Sequence, residues 1–301
     1  VAGISGITTS MVVGFRIGPR LNAAGRMDVP EDALETLTPA CRRLARDLAL
    51  KLDDYNRERQ TFENRIRTDA VEMLNESFDP HRDPVIVLGS RTWHHGVVGI
   101  VASRLMRQYH KPTFIIAIDE DGIGKGSGRS IEGVSLVEAL RACDDDLLAG
   151  GGHAMAAGLS IEEDKIKSFR KNFSDYVLRH TSEEQRQPTL MYDMELGFDQ
   201  LSLDFMADYD LLQPFGNGNP QPVFISRGVG LSRSPQHMKN HHLRLMLRQG
   251  YHEQDAVFFG GGEHPLPDPP WDIAYTIDRN HFRGRTTLQL VIQAVRAAEE
   301  C

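Results

Sequence analysis

Between Pro39 and Pro80 the chain runs forty residues without a glycine or a proline. Leu44, Leu48, Leu52, Tyr55, Phe62, Ile66, Ala70 and Met73 recur there at mostly three- and four-residue steps with charges between them. That spacing lays one apolar stripe along a helix. A helix of about 35 residues would be roughly 50 Å long at 1.5 Å per residue. Such a length exceeds the needs of one small domain, so residues 31–80 are read as a long connecting helix between two bodies. Two shorter helices, broken near residues 53–56, are the alternative.

The flanks decide what the helix joins. The chain has 301 residues, enough for two or three domains with real cores. Residues 1–30 hold Gly14, Gly18, Pro19, Gly25 and Pro30 around an apolar start, and read as the end of a packed unit followed by a turn-rich segment. Strand-like runs at 84–88 and 113–118 alternate with helical spacing at 97–109, 135–142 and 165–178. This predicts an α/β domain over 81–182. The polar stretch TSEEQRQP then reads as a linker. Beyond it, strand runs at 190–198, 223–226, 242–247, 256–259, 271–278 and 286–295 enclose one short helix at 203–212. About five strands with a single helix fit a small all-β barrel of the OB type over 188–301.

Three scattered cysteines, Cys41, Cys143 and Cys301, are too few for a disulfide scaffold or a zinc ribbon, and suggest a reducing, cytoplasmic setting. Apolar runs such as 114–118 fall far short of the ~20 residues of a membrane span, so no membrane association is expected. No basic residue precedes Arg16, so a signal peptide reads poorly, and the start at Val1 suggests a fragment or a processed chain.

The formal net charge is −8, which taken alone argues against a nucleic-acid protein. Only the local field matters to a phosphate backbone, however. Residues 1–67 carry a net +2, residues 68–219 a net −11, and residues 220–301 a net +1. The acidity belongs to the middle, and local basic grooves remain open.

Three segments have the composition of phosphate-handling loops. In IGPRLNAAGR, Arg20 and Arg26 flank Asn22 and could present guanidinium forks to phosphate oxygens. A turn whose arginines pair with Asp28 or Glu31 is the bland alternative. In GKGSGRS, alternate glycines including Gly128 would let backbone N–H groups approach an anion, Ser127 and Ser130 add hydroxyls, and Lys125 and Arg129 supply charge. The spacing is not that of a P-loop, and a glycine-rich hairpin without ligand fits equally. In GGGHAMAAG, Gly151 and Gly152 deliver His153 in a tight backbone setting, where it could donate to a phosphate or scissile oxygen. A lone histidine is commonly structural. His94, in WHHG before a helix, is a fourth candidate.

No metal centre is legible. Metal-dependent phosphodiester cleavage needs several Asp, Glu or His ligands on one or two cations. The run Asp144-Asp145-Asp146 has no histidine at ligand spacing and reads as a solvated turn or helix end. The adjacent His241 and His242 would point to opposite faces of a strand.

Taken together and in this order, IGPRLNAAGR, WHHGVVGIVASRL, GKGSGRS and GGGHAMAAGLS closely resemble the C-terminal two-thirds of the RecJ family. These are single-strand-specific 5′→3′ DNA exonucleases of the DHH phosphoesterase superfamily. LLQPFGNGNPQPVF and FRGRTTLQLVIQAV look like that family's OB-fold segment. The resemblance implies a DHH-associated α/β domain preceded by a long connecting helix and followed by an OB-fold-like barrel. It also implies an N-terminal DHH lobe holding Mn²⁺ or Mg²⁺, which the 301 residues do not contain. Residues 1–30 would then be its remnant, and no metal would be expected in this chain.

Carried over residue by residue, Arg20, Asn22 and Arg26 would lie near the substrate backbone. Ser127, Gly128, Arg129 and Ser130 would grip the 5′-terminal phosphate. His153, Gly151 and Gly152 would face the metal centre, with His94 on the same wall. Tyr275, Phe282, Arg283 and Arg285 would be contacts of the OB-fold with single-stranded DNA. The implied parent is a metal-dependent hydrolase of DNA recombination and repair. Its partners would be single-stranded DNA, a single-strand-binding protein and a repair helicase, while the isolated chain is expected to be inactive. Another DHH phosphoesterase, acting on short oligonucleotides or cyclic dinucleotides, is one alternative, and a non-catalytic docking module is another.

Overall fold

The structure is a computed structural model, and it describes all residues except 5–7, 9, 239–240, 263–264, 283 and 299–301, together with the side chains of 281, 282 and 285. The chain divides into two compact units, Val1–Pro188 and Thr189–Cys301.

The first unit opens with a helical turn, α1 (Ser10–Val12), a π-turn (Val13–Ile17) and α2 (Gly18–Met27). This corrects the turn-rich reading. Gly18 and Pro19 occupy the first turn of α2, where proline's missing N–H costs nothing. Buried Ala23 and Ala24 let α2 pack closely. A short α3 (Glu31–Leu37) precedes α4 (Arg42–Ser77), a continuous helix of 36 residues. The helix does not break at 53–56. Asp53 and Asn56 are themselves buried on its stripe with Leu48, Leu52, Glu63, Ile66, Ala70 and Leu74. Asp53 accepts from Arg20 at 2.7 Å and pairs with Arg57 one turn on at 2.6 Å, so the polar step in the stripe is satisfied.

The sheet of the first unit has the order β1-β2-β3-β5-β4. Its strands are β1 (Ile86–Ser90), β2 (Thr113–Ile118), β3 (Ile123–Arg129), β4 (Ala149–Gly152) and β5 (Ala156–Glu162). β1 and β2 are parallel, joined by α5 (Val98–Tyr109), and the other pairings are antiparallel. Alternation along β2 divides the core. Phe114 and Ile116 face a cluster with Phe169 and Phe173 of α7 (Ile166–His180) and Leu136 of α6 (Leu136–Ala142). Ile115 and Ala117 face the other side, with Val101 and Leu105 of α5 and Ile66 of α4. Both faces are covered, as a buried strand read as a continuous apolar run requires.

The second unit is the expected barrel. Its elements are β6 (Met194–Glu195), α8 (Leu203–Asp210), β7 (Phe224–Leu231), β8 (Gln236–Met238), β9 (His242–Gln249), β10 (His252–Phe258), β11 (Trp271–Phe282) and β12 (Arg285–Ala297). The order β7-β11-β12-β10-β9 is closed by a β7–β9 pairing, giving a five-stranded barrel of the OB kind. Trp271, Tyr275, Leu245, Leu247 and Leu290 fill its interior. Among the described residues no helix is long and apolar enough to cross a membrane.

Candidate phosphate-binding site

GKGSGRS is a strand in the sheet and not a loop, which changes what its glycines do. Gly124 and Gly128 are buried on the face of β3 that looks toward α6 and α7. A Cβ on Gly128 would lie 2.4 Å from the Phe114 ring, and one on Gly124 2.6 Å from Ile116. The glycines make room for large neighbours on β2, and Gly128 offers its backbone to no ligand from that face. The opposite face is the chemical one, and it carries Lys125, Ser127 and Arg129.

That face meets the first turn of α5. A Cβ on Gly99 would sit 2.9 Å from Ser127 Oγ and 3.3 Å from Arg129 Nη2, so only glycine lets the helix start so close to both. The end of α2 closes the same corner. A Cβ on Gly96 would lie 2.1 Å from the Arg26 carbonyl oxygen, and Arg26 Nη1 donates to Gly96 O at 3.3 Å. The start of α5, with its uncapped backbone N–H groups, is thereby brought to Ser127, Arg129 and Arg26.

The charge of this corner is carried by two arginines. Arg129 donates to Ser127 Oγ at 3.0 Å and to Gly128 O at 2.7 Å. Burial pushes its guanidinium below the usual arginine range, and the charge of Arg26 pushes it further. Among the described residues no carboxylate forms an ion pair with either arginine. On the rim, His94 stacks between Phe62 of α4 and His95, with centroids 5.1 and 4.9 Å away. Its Nδ1 accepts from Gly96 N at 3.2 Å. Burial lowers its pKa first and His95 second, against a raising effect of Glu58, so the imidazole is neutral near pH 7 with its Nε2 carrying the proton.

His153 is exposed beyond β4, at the end of the sheet where β3 finishes. Gly152 takes φ +141°, where a Cβ would fall 2.6 Å from Ala156 O. His153 N donates to Ala156 O at 2.8 Å, and Ser130 N to Met155 O at 3.1 Å, tying this tight turn to the strand that carries Arg129. Gly151 is exposed with open space around it.

Several expectations need correction. Ser130 is 1% exposed and donates to Val134 O at 2.7 Å, so its hydroxyl caps a turn and grips no phosphate. Arg20 lies on a different side of α2 from Arg26 and is engaged by Asp53, an aspartate on α4 and neither Asp28 nor Glu31. Asn22 is exposed one turn before Arg26, on the same helical face. Asp146 is buried, accepting from Ser168 and Asn172, and is no solvated turn residue. Tyr275 is fully buried in the barrel, its hydroxyl 2.9 Å from Ser226 Oγ and its pKa pushed up to about 12, chiefly by burial. It has no face for a base to stack on. Arg283 lies outside the described residues, as do the side chains of Phe282 and Arg285. The residue missed altogether is Gly99, whose one sequence signal is a glycine in the first turn of a β-branched helical run.

Among the described residues no three His, Cys, Asp or Glu side chains converge as metal ligands.

An α/β domain followed by an OB barrel defines the class: residues 82–178 match the DHHA1 domain and residues 192–294 the RecJ OB domain. The chain thus carries a DHHA1 domain and a RecJ OB domain, and it is similar to the portion of RecJ proteins that holds both. It is 35% identical to the single-stranded-DNA-specific exonuclease RecJ of Haemophilus influenzae, over 97% of this chain and 53% of that protein. It is 34% identical to RecJ of Escherichia coli, over 94% and 51%. The crystal structure of Thermus thermophilus RecJ with Mg²⁺ superposes with a TM-score of 0.83 at 30% identity, covering 99% of this chain and 45% of that one. A second structure of the same protein holds Mn²⁺. The chain spans about half the length of the curated relatives it matches.

Proposed function

We propose that this chain is the substrate-gripping portion of a 5′→3′ exonuclease specific for single-stranded DNA, a hydrolase of recombination and repair. The observation that carries the reading is the corner made by Ser127, Arg129, Arg26 and the start of α5, where two guanidinium groups converge with no carboxylate between them. A terminal phosphate brought there gains charge-assisted hydrogen bonds from Arg129 and the helix start, and relieves the repulsion between the arginines. His94 Nε2–H and His153 then lie as donors for oxygens of the first nucleotide linkage. These residues bind and orient, which converts encounter into alignment before any bond breaks.

The relatives' structures contain Mg²⁺ or Mn²⁺, and a divalent ion in the full enzyme would supply the activated water. On this reading the 301 residues bind single strands without Mn²⁺-dependent cleavage. Phe282, Arg283 and Arg285 are the proposed secondary contacts of the barrel. A single-strand-binding protein and a repair helicase are the partners such an enzyme would meet in the cytoplasm. The RecJ-type OB domain disfavours a phosphoesterase acting on cyclic dinucleotides.

The test is a competition between 5′-phosphorylated and 5′-hydroxyl oligo(dT) for the purified chain. The phosphorylated strand should bind more tightly, and Arg129→Ala should abolish the preference at a cost of about tenfold, the scale of one charge-assisted pair. Equal binding of the two strands by the unmodified chain, or robust Mn²⁺-dependent digestion of 5′-labelled strands, contradicts the reading.

A further inference from the structure

The opposite end of α5 holds a second basin. It is a cavity of about 560 Å³ where the chain leaving α4, the end of α5 and the segment after α7 meet, and His81, Arg107, His110, Lys111, Glu183 and Arg186 are among its walls. His110 takes a left-handed backbone conformation, φ +49°, turning the chain sharply so that Lys111 follows at the mouth of β2. Arg186 is held in place by its own Nη1, which donates to Thr181 O at 2.7 Å and Thr181 Oγ1 at 3.0 Å. Among the described residues no carboxylate forms an ion pair with Arg107, Lys111 or Arg186.

Lys111 and Arg186, both half-buried, repel one another. Burial pulls the Lys111 ammonium below its usual range and Arg186 adds to the effect, with Asp83 the sole opposing charge. Burial lowers His110 as well, and Lys111 lowers it further. Glu183 is the one acid in the wall. Guanidinium forks beside an ammonium suit a tetrahedral oxyanion, and the volume admits a whole nucleotide. Pro80, Tyr109 and Pro188 are also in the walls.

We propose that this basin is a second phosphate site, taking a backbone phosphate of the strand held at the other end of α5, or a free phosphate. The first source rests on the function proposed above. The twelve residues of α5 separate the two ends by about 18 Å at 1.5 Å per residue, so only a strand of several nucleotides reaches both and gains from linked binding.

The experiment measures binding of 5′-phosphorylated dT2 and dT16 to the full chain, to Lys111→Gln/Arg186→Gln, and to Arg107→Gln, whose exposed side chain carries no folding role. The double variant should bind dT16 at least fivefold more weakly, with the log–log salt slope shallower by about 1.4 for two lost phosphate contacts. Arg107→Gln should shift both in the same direction, and dT2 binding should not change. Inorganic phosphate that raises the melting temperature of the unmodified chain more than that of the double variant supports the free ligand as the source. Unchanged dT16 affinity and slope in both variants, with the same phosphate effect on melting as in the unmodified chain, overturns the second site. Hexaglutamate that raises the melting temperature of the unmodified chain as much as inorganic phosphate, and not that of the double variant, overturns its phosphate character. Arg129→Ala separates the two claims, because its loss of dT2 binding upholds the first site whatever the basin does.

Discussion

Arg129 is a charge placed where burial and Arg26 both disfavour it, and the fold keeps it there without a carboxylate. Such an arrangement costs stability unless an anion arrives, which is why the side chain reads as functional. His94 makes a related statement through pH. Its folded pKa is depressed, mainly by burial, from 6.5. Between the folded value and 6.5 the unfolded chain binds more protons, so this contribution is full above about pH 6.5 and is lost as pH falls through the folded value. Thermal melting should therefore drop below pH 6.5, and His94→Gln should flatten that part of the profile. Cys143 is buried, with its thiol pushed up to about 11 chiefly by burial, whereas Cys41 is exposed. Alkylation at pH 8, read by peptide mass spectrometry, should label Cys41 within minutes and Cys143 only on unfolding. Residue types at the site were legible in the sequence, because arginines, serines and histidines among glycines are an uncommon composition. Their partners were not. Ser130 and Tyr275 look as available as Ser127 in one dimension, and only packing reveals that each hydroxyl is already spent on a buried acceptor.

Helix α4 was readable at the element scale because forty residues without a breaker and one apolar stripe admit few other structures. Its buried Glu63 shows what the stripe conceals. It accepts from Arg59 at 2.7 Å and forms an ion pair with Arg104 of α5 at 2.6 Å, pinning α5 against α4. Glu63→Leu should lower stability by ~3 kcal/mol, since Arg59 is left buried without its charge partner, as read by urea unfolding. β3 was misread as a loop because alternate glycines weaken every strand signal. Their reason lies on the neighbouring strand, in the Phe114 ring and the Ile116 side chain, at a register no local pattern encodes. Gly128→Ala should accordingly cost about 1–3 kcal/mol through overpacking, although alanine is ordinarily the milder residue in a strand. α2 was hidden for the opposite reason: Gly18, Pro19 and Gly25 look like turn residues, while their helix is held by the buried Ala23–Ala24 pair.

The whole chain holds two units with separate cores, and no residue of the barrel cluster belongs to the sheet clusters. Residues 189–301 expressed alone should fold cooperatively, with a sharp thermal transition in circular dichroism. The net charge of −8 was a poor guide to function at this scale. In the barrel, Arg227, Arg244, Arg279 and Arg296 are all paired with carboxylates, whereas Arg26 and Arg129 are not. Which arginines are free to meet a phosphate depends on tertiary pairing, and a count of charges cannot report it. On the proposed reading a terminal phosphate sits between the start of α5 and Arg129. Amide chemical-shift mapping of the full chain with 5′-phosphorylated dT2 tests it most directly. Shifts concentrated at Val98, Gly99, Ser127 and Arg129, and absent in Arg129→Ala, are the expected result. Shifts confined to the barrel, or unchanged by Arg129→Ala, would contradict it.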